Sequence, residues 1–447
     1  MNSLTEAVLA GENAERLAAE PLPRSYRAAY LKASDVDMFN GCTDKDIRRS
    51  VHVGDVPMPE LAPDEVLVAV MASGINYNTV WSAMFDPVPT FGFLRRYGRQ
   101  GGYAARHDRD YQVVGSDASG VVVRAGVAVR RWQVGDHVVV HPAHVDAEEP
   151  MTQYDCALGA DSRVWGFETN FGGLADYAVV RANMLLTKPA HLTWEEAASY
   201  PLCAGTVYRM LISERGARIK AGDVVLIWGA AGGVGSFAVQ LTLAAGGIPV
   251  GIVSTPEKAR LARELGCEFV IDRSEIGMAG DPGSPDHAIA AGKQIGKIIR
   301  GVLGEDPHVV FDYVGKATFG ISMFVVRPGG TVVTCGSSTG YQLDFDSRYL
   351  WMYSKRVIGI SGCTLQEQAE TSRLIRHGKI VPVLSMTYPL DEVGEALRLV
   401  QLNRHTGKVG VLCLAPDHGL GVTDQATRLR IGEDRFTLFQ TKSLASA

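Results

Sequence analysis

The sequence predicts an α/β protein in which a doubly wound parallel sheet is joined to a second, β-rich domain. Three observations carry this. From 220 to 340, apolar runs alternate with helical segments: "VVLIWGA", "FAVQLTLAAGG", "IPVGIVS", "EKARLARELG", "EFVIDR", "HVVFDYV" and "TVVTCG". That order and spacing mean βαβ units. From 60 to 145 the chain instead reads as short strands ("EVLVAVMASGINYN", "QVVGSDASGVVVRAG", "VGDHVVVH") broken by Gly-Asp and Ser-Gly pairs. After about 345 the pattern is mixed again and closes on "GKVGVLCLAP", a short buried strand. A parallel-sheet domain over 206–345, set between two parts of a β-rich domain at 1–205 and 346–447, accounts for all three.

Individual elements follow the same logic. Thr193-Trp194-Glu195-Glu196 reads as a capping box that starts a helix, with Glu196 three residues after Thr193. In "VWGFETNFGGLADYAVV" (164–180) the second half is a strand entering a core after the Gly172-Gly173 pair. Its first half is unusual, because Glu168, Thr169 and Asn170 stand beside the bulky Trp165 and Phe167. There are no internal repeats.

The 447 residues are enough for two or three domains with sizeable cores. A hydrophobic share of 46% with 21% charged residues is ordinary for a soluble globular chain. The net charge of −5 leaves no basic footprint for nucleic acid. No apolar run is long enough to span a membrane, and the first residues lack a signal-peptide core. Seven scattered cysteines without a C-x-x-C pair point to a reducing, cytoplasmic setting and to no structural zinc.

The clearest chemistry is at Gly229-Ala230-Ala231-Gly232-Gly233-Val234-Gly235, between a predicted strand and a predicted helix. Gly229, Ala230, Gly232, Gly233, Val234 and Gly235 let backbone approach a pyrophosphate, and the helix N-terminus supplies N–H groups and positive dipole. An NAD site usually carries an acid at the end of the second strand. Here that strand ends at Ser254-Thr255, with Lys258 following and Arg273 after the third strand. Hydroxyls and cations at Ser254, Lys258 and Arg273 suit a 2′-phosphate, so the cofactor is predicted to be NADP(H).

The domain order and glycine motif resemble the medium-chain dehydrogenase/reductase superfamily, in which a GroES-like catalytic domain is joined to a Rossmann domain. Its zinc alcohol dehydrogenases carry Gly-His-Glu where this chain has Gly115-Ser116-Asp117, so no catalytic zinc is expected. "GINYNTVW", "WGFETNFGGLA", "RYLWM" and "GKVGVLCLAP" resemble the crotonyl-CoA carboxylase/reductases more closely, from about residue 25 to the C-terminus. That resemblance implies NADPH-dependent reduction of a 2-enoyl-CoA, capture of CO2 as co-substrate on the resulting enolate, and an assembly of four subunits. It implies that the Asn78 amide and the Phe167 backbone hold CO2. It implies that Glu168, with a histidine further on, holds an ordered water. Such donors would act where the carboxylate charge develops, and Trp165 and Phe167 would help exclude bulk water. Without the resemblance, Asn78 bridging a turn and Glu168 capping a backbone amide account for the same residues.

Three positions depart from the family pattern. The family histidine falls at Ser361, where a hydroxyl can still hold water but does not titrate as imidazole does. A family phenylalanine falls at Gly362. Losing that ring opens space for a longer acyl tail, as in 2-octenoyl-CoA, whose alkylmalonyl-CoA product would serve as a polyketide extender unit. A His-Pro-Gly is replaced by Tyr313-Val314-Gly315, with no functional account from sequence. Arg348, with Tyr349 beside it, is the leading candidate for the CoA phosphates. The remaining alternatives are an NADPH-dependent enoyl-CoA or quinone reductase without carboxylation, and a non-catalytic NADPH-binding protein.

Overall fold

The structure is a computed structural model that describes residues 2–274, 276 and 284–440. The chain forms two compact units: Met1–Leu202 with Thr364–Ser372 and Pro382–Ala447, and Cys203–Cys363 with Arg373–Val381. The first unit holds β1 (Ser25–Lys32), β2 (His52–Pro57), β3 (Glu65–Gly74), α1 (Tyr77–Met84), β4 (Tyr111–Val113), β5 (Ala118–Ala125), β6 (His137–Val140), β7 (Tyr177–Arg181), β8 (Leu185–Thr187) and α2 (Trp194–Ala198). The second holds β9 (Val224–Trp228), α3 (Gly233–Ala244), β10 (Ile248–Val253), β11 (Phe269–Asp272), β12 (Val309–Phe311), β13 (Thr331–Thr334) and β14 (Arg356–Gly359). The chain then returns to the first unit with β15 (Leu384–Pro389) and β16 (Lys408–Leu412).

In the second unit the six strands are all parallel, in the order β11-β10-β9-β12-β13-β14. Numbered within the unit this is 3-2-1-4-5-6, the doubly wound Rossmann order, with its switch point between β9 and β12. Val224, Val225, Leu226 and Ile227 of β9 are fully buried, as expected of a strand covered on both faces. The division falls at 202/203 and 363/364, where sequence predicts 205/206 and 345/346. The second difference has a plain cause: β14 pairs with β13 from Thr331↔Arg356 to Thr334↔Gly359, so it completes the parallel sheet.

In the first unit β3 is buried along its whole length. β5 pairs antiparallel along one edge, and β7 and β16 share the other. A separate sheet runs β2-β1-β4. The predicted capping box is formed: the Thr193 hydroxyl accepts the Glu196 N–H, and the Glu196 carboxylate accepts the Thr193 N–H.

Three segments of this unit converge on Gly115–Asp117. Gly115 has φ +109°. Its carbonyl accepts the Gly173 N–H at 2.9 Å. Gly166, at φ +68°, lies so close that a Cβ there would stand 2.0 Å from that same oxygen. Asp117 is fully buried. Its carboxylate accepts from Asn76 Nδ2 (2.8 Å) and the Leu202 N–H (2.9 Å), and faces Lys408 Nζ at 3.4 Å. Burial raises the Asp117 pKa, and the Lys408 charge opposes the rise. Lys408 also donates to Ile75 O and Asn76 Oδ1, and Asn76 is the N-cap residue of α1. The tripeptide therefore fixes both the loop around 166–173 and the start of α1.

Gly166→Ala would add a methyl against the Gly115 carbonyl in a left-handed backbone. It is expected to lower the unfolding free energy by about 2 kcal/mol or more, read as a fall in the urea midpoint.

Candidate functional site

The glycine loop begins as β9 ends. Gly229 has φ +63°. A Cβ on Gly235 would stand 2.1 Å from Gly229 O, so loop and helix pack backbone against backbone. Gly232 is the N-cap of α3 and offers no side-chain cap, so the first N–H groups of a 12-residue helix, Gly233 and Val234 included, are left for a ligand. Ala230 donates its N–H to Ile252 O on β10 at 3.2 Å. Ser254 follows β10 directly. Lys258 lies near Arg273: burial first, and then the Arg273 charge, lower its pKa. Two neighbouring cations past the second and third strands, with no acid at the end of the second strand, fit a dinucleotide carrying an extra phosphate.

Tyr313, unaccounted for by sequence, acts here. It follows β12, across the switch point from the loop, and its hydroxyl donates to Gly229 O at 3.1 Å. The neighbouring Asp312 carboxylate is buried and accepts from the N–H groups of Val314 and Gly315 and the hydroxyls of Thr318 and Ser322. Tyr313 is thereby held over the glycine loop.

The segment 164–173 resolves into two kinds of residue. Thr169 and Asn170 hold the loop together. The Thr169 hydroxyl accepts the Gly166 N–H. Asn170 accepts from the N–H groups of Val113 and Phe171, and donates to Tyr111 O. Trp165 is almost fully buried, with its indole N–H on Phe171 O, and belongs to the core of this unit. Phe167 and Glu168 are half-buried. The Phe167 carbonyl accepts Gln112 Nε2 at 2.9 Å. Its N–H makes only a long bond, 3.2 Å, to Val164 O, which also accepts the shorter Glu168 N–H at 2.8 Å. Glu168 caps the Val164 N–H with Oε2 at 2.8 Å, and its Oε1 has no partner among the described residues. Burial raises the Glu168 pKa, with the Val164 N–H, Arg163 and Arg96 opposing.

Asn78, on the first turn of α1, donates Nδ2 to Ser116 Oγ at 2.7 Å and accepts the Thr79 N–H at 2.9 Å. Asn78, Phe167 and Glu168 thus share one unit and one scaffold, the Gly115–Asp117 strip. Ser361, Gly362, Arg348 and Tyr349 belong to the second unit. Ser361 is exposed. Gly362 has φ +62°, and a Cβ there would meet nothing within 4 Å; its backbone favours glycine as well as leaving room. Arg348 is exposed and pairs with Asp346. Tyr349 stacks on Tyr353 at 6.3 Å.

Sequence reasoning missed Ser116 and Gln112. Ser116 had been noted only for lacking a histidine. Among the described residues no group of three or more His, Cys, Asp and Glu is placed to hold a metal ion.

Comparison with known proteins agrees with this layout. An alcohol dehydrogenase GroES-like domain matches 62–190, and a zinc-binding dehydrogenase domain matches 233–377. A crotonyl-CoA reductase of Streptomyces collinus is 50% identical, over 92% of this chain and 93% of its own length. The crotonyl-CoA carboxylase/reductase of Cereibacter sphaeroides is 36% identical, over 83% and 86%. Among solved structures, the 2-octenoyl-CoA carboxylase reductase CinF, from a Streptomyces species, in complex with NADP and 2-octenoyl-CoA, is 57% identical. It covers 98% of this chain and 99% of its own, with a TM-score of 0.96. With a Rossmann sheet carrying the glycine loop, the GFETN loop packed on the Gly115 carbonyl, and 50% identity to a relative over 92% of the chain, this protein belongs to the crotonyl-CoA carboxylase/reductase family.

Proposed function

We propose that the protein is an NADPH-dependent 2-enoyl-CoA carboxylase/reductase acting on a medium-chain substrate of the 2-octenoyl-CoA type. The observation that carries this is the GFETN loop, with its under-used Phe167 N–H and Glu168 Oε1, in a chain 57% identical to an octenoyl-CoA carboxylase reductase. NADPH would be held by the 229–235 loop and by Ser254, Lys258 and Arg273, and supplies the hydride for C3 of the enoyl thioester. Conjugation makes C3 electrophilic, and the negative charge moves to the thioester oxygen and C2. C2 then attacks CO2, and a new C–C bond forms as the carboxylate charge develops.

The chain's own residues favour that step over protonation. Asn78 and the Phe167 N–H supply donors to the developing carboxylate. Glu168 accepts from a water with its second oxygen and holds it in place. Ser361 stands where the family has histidine and offers one hydroxyl that can hold water. Arg348 offers the CoA phosphates a planar guanidinium suited to paired phosphate oxygens, with Tyr349 next to it in the chain.

A homotetramer is part of this reading. β14 is an edge strand of the parallel sheet, and Trp351, Met352, Tyr353 and Val357 around it are exposed, an apolar edge suited to a second copy. The cytoplasm suits a chain whose seven cysteines are all free thiols. Ser361 favours one second reading, a reductase whose carboxylation has lapsed.

Incubation with NADPH and 2-octenoyl-CoA, with and without bicarbonate and carbonic anhydrase, separates the two by product mass. A product heavier by one CO2 is expected; octanoyl-CoA alone at high CO2 would mean a simple reductase. The kcat/KM for 2-octenoyl-CoA should exceed that for crotonyl-CoA, and equality would remove the case for a pocket enlarged at Gly362. At constant dissolved CO2, the carboxylated fraction should fall on acidification. Glu168 is needed as carboxylate, and its raised pKa makes the loss begin above the usual glutamate range of about 4.3. Glu168→Gln should flatten that profile.

A further inference from the structure

Ser116 is fully buried, yet its hydroxyl serves a residue that is only half-buried: it accepts the Asn78 Nδ2 hydrogen at 2.7 Å. The other end of the amide is committed too, since Asn78 Oδ1 accepts the Thr79 N–H at 2.9 Å. A backbone N–H can only donate, so the amide oxygen must face Thr79 and the nitrogen must face Ser116. Both the position and the flip of the amide are therefore set, and one Asn78 N–H has no partner among the described residues.

Ser116 has little freedom of its own. Gly115 on one side is clamped by Gly166 and Gly173, and Asp117 on the other is tied to Asn76, Leu202 and Lys408. The Asp117 carbonyl also accepts the Ser73 hydroxyl at 2.6 Å. The Gly115 carbonyl that limits Ser116 on one side also abuts Gly166, one residue before Phe167. The serine is thus a rigid acceptor placed between the segments that carry Asn78 and Phe167.

We propose that Ser116 is a positioning residue for carboxylation: its hydroxyl holds the Asn78 amide so that the remaining N–H is presented to CO2. This rests on the reading that Asn78 binds CO2. The serine is an acceptor that orders an amide, so the site polarises CO2 with an oriented N–H. Preorganisation matters more for CO2 than for most ligands, because an uncharged molecule offers little to pull a mobile donor into line.

The test compares wild type, Ser116→Ala, Asn78→Ala and the double variant with NADPH and 2-octenoyl-CoA over a series of CO2 concentrations. NADPH oxidation and both acyl-CoA products are quantified. Ser116→Ala is expected to lower the ratio of alkylmalonyl-CoA to saturated acyl-CoA about tenfold, the worth of one hydrogen bond. The ratio should fall by more than the rate of NADPH oxidation, and the apparent KM for CO2 should rise. The double variant should match Asn78→Ala, since Ser116 acts through that amide. A wild-type ratio in Ser116→Ala beside a lowered one in Asn78→Ala overturns the role of Ser116 alone. So does a double variant worse than Asn78→Ala. A wild-type ratio in Asn78→Ala overturns the assignment of Asn78 and this proposal with it. If Ser116→Ala oxidises no NADPH, Ser116→Cys, of similar size but a weaker acceptor, is read by the same ratio.

Discussion

The backbone of Gly115–Asp117 is the constraint on which the rest of the catalytic unit depends. Its carbonyl at 115 takes the Gly173 N–H and abuts Gly166, its serine takes the Asn78 amide, and its buried carboxylate takes Asn76, Leu202 and Lys408. These hydrogen bonds and the close backbone contact at Gly166 together hold the strip in one place. A donor meant for CO2 has to be held this way, because the ligand cannot organise it.

Much of this was legible in the sequence. Alternating apolar runs over 220–340 are the direct imprint of strands covered on both faces, and the glycine loop sits at the only kind of junction that needs so many glycines. The GFETN loop was recognisable as a functional segment. Its internal division of labour was not: Asn170, an amide of plausible catalytic type, spends its acceptor and a donor on backbone at 111, 113 and 171. Trp165, expected beside Phe167 to help exclude bulk water, is part of the core. Nothing local to 164–173 encodes the partners at 111 and 113, which lie 59 and 57 residues from Asn170.

The errors share a cause. A boundary at 345 follows from composition, because the exposed, mixed residues of 348–358 do not resemble a buried parallel strand. Arg356–Gly359 pairs in parallel with β13 all the same, and stays largely exposed because an edge strand pairs on one side only. Ser116 was visible as a missing histidine, and its role emerged only when α1 was seen packed against it. Tyr313 likewise means nothing until β12 lies next to β9 and its hydroxyl reaches Gly229 O.

The chain order of the two units bears on how the protein is made. The parallel sheet has all six strands once residue 359 has emerged, so it can fold as a block during synthesis. The other unit begins first and finishes last: Asp117 waits 291 residues for Lys408, and β3 lacks part of one edge until β16 arrives. For most of translation the nascent enzyme carries an uncompensated carboxylate and an open strand edge near its N-terminus. The unit that carries Asn78, Phe167 and Glu168 is therefore the one most exposed to misassembly before release from the ribosome.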